Sequence, residues 1–512
     1  MSILQGINLA QQGMTVSQAG LTIVSNNVSN MNTPGYSKQR VDLAQGHFYA
    51  EGGRINISGV EVSGITRYRD SFMDKYYRDE SSVLSYYQEM LNNATFIQDC
   101  MNELSGTGIT GALDEYYTAA QNLMNDPTNS VYRADFIQKA AKVAQEFNTK
   151  VDTLEDYRKT LVGDIDDPAS LEKSQISNDV NTVNQLIDQI AEVNEQIAQS
   201  VNMGGDPHAL YDQRELLLDE LSQYVPVKTE DTPSGEINLY IGDVKILNRH
   251  EKLGTLEVVM GDEDNPAKIN IVNKDGEPYK VDFQKELGSK GKLAATLEIA
   301  GNNPDSFTIK GVIGELDSLA AAFAQSVNEI QQYRSDDGTE ASMCLSDDGK
   351  SLVLADEPIF VTSDGSADFS AKNITINTEV LNNPNKIATA VGDVDPNNPA
   401  QPLNPDAVGN VAGAEKFCNM RNETIIGGLT SEDKITSIIS NVGIETQKIT
   451  NNEETQYNSL ALITTQREST FGVNLDEELV DLMKYQRSYE ASARVFNVMD
   501  EILQIITNLA NS

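Results

Sequence analysis

No charged side chain occurs before Lys38, and within that neutral stretch Ile3, Ile7, Ala10, Met14, Ser17, Leu21, Val24 and Val28 recur in steps of four and three. Such spacing keeps one face of a helix apolar and predicts a coiled-coil seam. A matching pattern at the other end of the sequence runs through Leu475, Leu479, Leu482, Tyr489, Ala493, Phe496, Leu503 and Ile506. Terminal residues fray unless something ties them down, so two long apolar helices at opposite ends predict an assembly that buries them. Periodicity does not say whether the partner helix lies in the same chain or in another, and both can hold. The ends of the chain, rather than a pocket, are the first candidates for function.

The segments between them change character several times. Asn residues favour caps and left-handed positions and Pro-Gly suits the centre of a type II turn, so the first helix should stop near Asn30, before Pro34-Gly35. Residues 38 to 67 alternate apolar and polar and read as short strands. From Asp70 to Tyr224 helical periodicity returns, with one seam through Phe136, Ala140, Val143, Phe147, Val151, Leu154 and Leu161. A second seam runs through Ile176, Val180, Val183, Ile187, Ile190, Ile197 and Val201, with Asn194 as a register-setting polar residue at its core. Beyond Val225, Ile237 to Ile241 and Val244 to Leu247 flank Gly242-Asp243 as a hairpin, and further strands are expected at 255–260, 268–272 and 279–283. A helix is expected over 313–332, short strands and loops over 336–425, and helices again from Ser431 to the end, broken near Gly472.

The expected fold class is therefore multidomain α+β. A terminal coiled coil is drawn from residues 1–37 and 472–512, and a mainly helical core from 38–225, 311–335 and 426–471, with short strands at 38–67. A β-rich insertion spans 226–310 and a second β- and loop-rich excursion spans 336–425. If the ends assemble at an axis, this nesting places the β material outermost.

Charge and chemistry narrow the function by exclusion. With 38 basic against 77 acidic side chains in 512 residues, the net charge of −39 offers no basic excess for nucleic acid or an anionic membrane surface. No run approaches the roughly 20 apolar residues of a membrane span, and no cleavable secretion signal is encoded. Cys100, Cys344 and Cys418 are widely separated and fit neither a disulfide framework nor a zinc site. His47, His208 and His250 show no ligand spacing, and nucleotide-binding glycine motifs and a nucleophile elbow are absent. Asp336-Asp337-Gly338 and Asp347-Asp348-Gly349 read as turns rather than calcium loops. Neither a catalytic set, a metal site nor a cofactor site is expected.

The run Ile23 to Asn30, followed by Asn32-Thr33-Pro34-Gly35-Tyr36-Ser37, closely resembles the N-terminal signature of bacterial flagellar rod, hook and hook-associated proteins. Its signature turn comprises Asn26, Asn27, Asn30, Asn32, Pro34, Gly35 and Tyr36, and the Gly-Tyr pair is similar to the hook-associated branch, since rod and hook proteins tend to carry Gly-Phe there. The stretch 210–222 and the run Gly472 to Glu478, with Tyr485-Gln486 and Tyr489 following, resemble segments of the same branch. The resemblance implies a structural, non-enzymatic subunit at the junction of hook and filament, outside the cell, exported unfolded through the flagellar type III apparatus. It implies as partners further copies of the chain, hook protein, hook-associated protein 3 and an export chaperone at the C-terminal helix, with no nucleic acid, membrane or cofactor. Alternatives are a hook or rod subunit, or a flagellum-associated hydrolase carried in the insertion.

Overall fold

The computed structural model describes residues 3–46, 48–51, 54–57, 59–102, 107–395 and 398–511. The first helix, Ile3–Ser29, leads through a turn into an antiparallel ribbon of Gln39–Gln45 and Val60–Arg67, continued by the hairpin Phe48–Glu51 and Arg54–Ile57. Asp70 then accepts the Phe72 amide and caps the long helix Ser71–Met101. Helices Gly108–Asn125, Ser130–Val162, Gln175–Asn202 and His208–Tyr224 build the body of the bundle. Both seams read from the sequence face inward, with Phe136, Val143, Phe147, Ile176, Val183 and Ile190 fully buried.

After Tyr224 the chain forms a four-stranded antiparallel sheet in the order Val227–Asp231, Ile237–Ile241, Val244–Asn248, Glu251–Lys252, and then the ribbon Gly254–Met260 with Ala267–Asn273. Asn194 ties this sheet to the bundle. Its side-chain amide donates to the carbonyls of Ile237 (3.1 Å) and Arg249 (2.8 Å) and accepts from Arg214, so it joins helix to sheet as well as helix to helix. The strand expected at 279–283 is not formed: Asp282 accepts the Lys285 amide and starts the short helix Phe283–Leu287. The chain is back in the bundle by helix Lys292–Ala300, whose Leu293, Ala295 and Ile299 are fully buried, and not first near 311. That return depends on Gly291, at φ +80°, where an added Cβ would lie 2.2 Å from the Tyr224 carbonyl oxygen.

Helix Ile309–Gln331 precedes the second excursion, a sheet ordered Leu352–Leu354, Glu340–Leu345, Ala390–Asp395, Asn398–Pro402 beside the pair Phe360–Thr362 and Ile374–Ile376. This excursion is stitched to the bundle. Tyr116, Phe136, Phe323, Phe360 and Phe417 form a chain of ring contacts 5.0 to 5.7 Å apart that crosses from one to the other. Arg133, fully buried and facing no carboxylate among the described residues, donates to the carbonyls of Pro127, Pro384, Asn385 and Ile387 and to Thr389 Oγ1. Helix Ser431–Phe471, capped by Thr430, runs back along Ser71–Met101, and helix Leu475–Asn511 completes the chain.

His250 pairs with Glu236 at 2.6 Å, His208 opens helix His208–Tyr224, and His47 lies outside the described residues. The three cysteines are free thiols, and both Asp-Gly sequences are turns with glycine at φ +67° and +69°. No group of residues among those described is placed to hold a metal ion, and no helix among them is long and apolar enough to cross a membrane.

Candidate functional site: the terminal helix pair and its collar

The first and last helices pack against each other along their length, running antiparallel. Their closest approaches recur every seven residues on both partners: Gly6 against Met499, Gly13 against Ser492, Gly20 against Tyr485, and Asn27 against Glu478. Glycine makes this contact intimate. A Cβ at Gly20 would lie 2.5 Å from the Tyr485 ring, and one at Gly13 3.3 Å from Ser492 Cβ.

The seam thus differs from the one expected through Ile7, Met14, Leu21 and Val28, which lie one residue to the side and are half-buried, as is Ile3. The buried face is Gly6, Ala10, Val16, Ser17, Gly20, Ile23, Val24 and Asn27, so Ala10 and Val24 sit at the contact. The physical reason is that backbones close on the residues lacking a Cβ, while larger apolar side chains straddle the contact. On the C-terminal helix, Leu482, Ala493, Phe496 and Leu503 are half-buried, whereas Leu475, Leu479, Tyr489 and Ile506 are exposed.

The signature turn closes one end of this pair. The Tyr36 amide donates to the Thr33 carbonyl (3.2 Å) around Pro34 and Gly35, and Gly35 takes φ +78°, as a type II turn requires. Asn30 donates to the Asn26 carbonyl and accepts from Thr33, closing the helix end, while Asn26, Asn32 and Pro34 are solvent-facing. Asn27 is the hub. Its Nδ2 donates to Glu478 (3.0 Å) and to the Gln39 carbonyl (2.9 Å), and its Oδ1 accepts from Tyr36 Oη (2.8 Å) and the Gln39 amide (3.0 Å). Lys38 completes the clasp by pairing with Glu477 (3.0 Å) and Glu478 (3.1 Å) and by donating its amide to the Phe471 carbonyl. Burial first, then the Asp212 and Glu478 charges, push the Tyr36 phenol up to about 12, so it stays a donor. Beside the clasp a groove of about 1120 Å³ is lined by Gly20, Ile23, Asn27, Tyr36, Glu478 and Tyr485 among others.

Below the turn lies a collar of ion pairs that sequence reasoning missed. Asp212 accepts from Ser37 Oγ (2.6 Å) and Arg67 (2.7 Å); Arg69 grips Asp74 at 2.7 and 3.0 Å; Arg467 bridges Asp74 (2.9 Å) and Asp219 (2.7 Å). Arg78 joins Asp219 (2.8 Å) to Glu215. These residues come from the ribbon, both long helices and helix His208–Tyr224, which explains the run of charge in 210–222. Burial raises the Glu215 carboxyl, but the Arg78 and Arg214 charges outweigh it and hold the group at about 2.

A depressed carboxyl stabilises the fold above its unfolded value near 4.5, and that stability disappears as pH falls towards 2. The stake is roughly 3 kcal/mol. Urea midpoints measured from pH 6 to 2 should therefore fall more steeply for the parent than for Glu215→Gln; parallel curves would contradict this assignment.

Geometry of this kind joins and orients helices. The helical domain of flagellar hook-associated protein FlgK matches residues 94–340, the flagellar basal body rod protein family matches residues 7–36, and the C-terminal region of the rod FlgEFG proteins matches residues 462–509. Rod-type ends around a hook-associated helical body define a flagellar axial protein. Flagellar hook-associated protein 1 of Bacillus subtilis (strain 168) is 28% identical over 540 aligned positions, covering 99% of this chain and 98% of that protein. The proteins of the same name from Salmonella typhimurium and Escherichia coli (strain K12) are each 25% identical, covering 98% of this chain and 99% of theirs. Over nearly its whole length the chain is similar to flagellar hook-associated protein 1, and its middle matches the FlgK helical domain. Its fold is similar to the flagellar hook junction protein FlgK from Burkholderia pseudomallei, with a TM-score of 0.58 at 13% identity, covering 77% of this chain and all of that one.

Proposed function

We propose that this chain is a structural subunit of the bacterial flagellum that forms the junction between hook and filament through its terminal helices. The observation that carries the reading is an exposed flank of the C-terminal helix. Val495, Val498, Ile502 and Ile505 recur in steps of three and four and are 47, 53, 38 and 58% exposed. At 100° per residue they lie about 40 to 120° round the helix from Met499, on one flank of the face that meets the N-terminal helix. Scattered exposed apolar residues are ordinary, but a heptad stripe of them is a seam without its partner. Neighbouring copies stacked around an axis supply that partner, with hook protein below and hook-associated protein 3 above. Before assembly the same stripe suits an export chaperone. Export unfolded through the type III apparatus delivers the chain outside the cell, where its role is architectural.

Burying a valine or isoleucine contributes roughly 1.5–3 kcal/mol, so Val498→Asp with Ile502→Asp should lower junction assembly at least about a hundredfold. The variant chain should keep its helical circular dichroism. Motility and filament counts in a strain lacking the native protein check this, and filaments at parental number would refute it. Placement is tested by immunogold electron microscopy of flagella with hooks, using antibody against residues 226–310. Label in a narrow band at the distal hook end supports the junction, label along the whole hook makes the chain a hook subunit, and no label on the flagellum overturns the reading.

A further inference from the structure

The glycine ladder contains a translational ambiguity. Contact positions that repeat glycine every seven residues present nearly the same surface after a shift of seven residues, about 10.5 Å along the helix. If the N-terminal helix moved that far from the core, Gly13 would face Met499 and Gly20 would face Ser492, each again without a Cβ to clash. The small-residue rungs therefore bring the helices together without deciding which rung meets which.

The fourth rung breaks the symmetry. In the observed register the Asn27 amide uses all of its hydrogen-bonding capacity, two donated bonds to Glu478 and Gln39 and two accepted from Tyr36 and Gln39. Asn27 and Glu478 are each 1% exposed. After the shift Asn27 would face the Tyr485 level, and Glu478 would lose its amide donor. A buried amide left without its partners, beside a carboxylate reduced to its Lys38 pair, disfavours that state, whereas the glycine rungs are indifferent to it.

We propose that the Asn27–Glu478 pair is the register-determining contact of the terminal helix pair, selecting one alignment from a heptad-spaced set that the glycines alone permit. The inference concerns contacts within one chain and stands apart from the junction reading. It assigns the signature asparagine a specificity role: an N-terminal helix one heptad out of line would lie about 10.5 Å further along the stripe 495–505 and change the surface presented beside it.

Disulfide trapping in the full chain tests this, with linkages identified by peptide mass spectrometry. Gly13→Cys with Ser492→Cys reports the observed register, because the two Cβ positions lie 3.3 Å apart. Gly13→Cys with Met499→Cys reports the shifted one. With Asn27 and Glu478 intact, the shifted pair should form only at trace level. In the Asn27→Leu, Glu478→Leu background its yield relative to the observed-register pair should rise at least about tenfold. Glu478→Gln, which keeps an acceptor for the Asn27 amide, should restore the parental ratio. A purely structural role would change the amount of linkage but not its position. If the shifted pair stays at trace level in the leucine background, whether the observed pair persists or both vanish, the proposal is overturned and the linker alone sets the register.

Discussion

Substituting leucine for Gly20 is expected to part the terminal helices while leaving the core folded. The Cβ alone would come within 2.5 Å of the Tyr485 ring, and three further carbons follow it. Leucine is a better helix former than glycine by somewhat under 1 kcal/mol, which favours the variant helix in isolation. Overpacking opposes this with about 1–3 kcal/mol in a contact that can adjust, and with more here, because the neighbouring rungs close on glycine as well. The net should be about 2 kcal/mol against closure, some thirtyfold in the equilibrium. Trapping between Gly13→Cys and Ser492→Cys should fall accordingly, and amide exchange should accelerate in 3–29 and 475–511 only. Gly20→Ala should be close to neutral, since the half-buried Tyr485 ring can swing aside and the helix gains propensity. Adding Tyr485→Ala to Gly20→Leu should recover much of the loss. Undiminished trapping in Gly20→Leu would show that the rungs are not in close contact.

Why the bundle was legible in the sequence and the collar was not follows from range. Phe136 to Leu161 and Ile176 to Ile197 repeat at the helical period, and that period is a property of adjacent turns. Gly242-Asp243 and Pro34-Gly35 specify their turns within four residues. The interface ladder failed for a different reason: periodicity counts apolar side chains, and Gly6, Gly13 and Gly20 contribute none. Their spacing of seven was the available signal. Strand pattern over 279–283 yielded to Asp282, whose side chain caps a helix instead. The collar draws Arg67, Asp74, Asp212, Asp219 and Arg467 from segments far apart in the chain, and each reads locally as an ordinary solvated charge. Only 210–222, where Asp212, Arg214, Glu215 and Asp219 crowd one helix, hinted at burial.

Removing Arg78 should be the most damaging single change to the collar. Its guanidinium is the only group joining Asp219 to Glu215 among the described residues, and it is itself buried. Arg78→Leu would leave Glu215 with the more distant Arg214 at 3.6 Å and the charge of Arg69, while Asp219 keeps Arg467. Stranding one member of a buried ion pair costs about 3–5 kcal/mol, chiefly because the remaining charge has lost both water and partner. Urea unfolding should show that loss, and Arg78→Lys should recover little of it, since a point ammonium cannot fork to two carboxylates. Arg78→Leu with Glu215→Leu should be more stable than Arg78→Leu alone, because the orphaned charge leaves with its partner. A destabilisation below about 1 kcal/mol would mean the collar is solvated and contributes as a surface pair would. The collar's geometry gives the expected loss a mechanical meaning. Arg67, Arg69 and Ser37 reach it from the segment following the first helix, and Arg467 from the helix preceding the last one, so one network fixes both strands of chain that lead to the terminal pair. Buried, bidentate and mutually crossed contacts resist bending better than a glycine linker would. The chain is therefore held by charge where it leaves the core, and by glycine only where the two helices must touch.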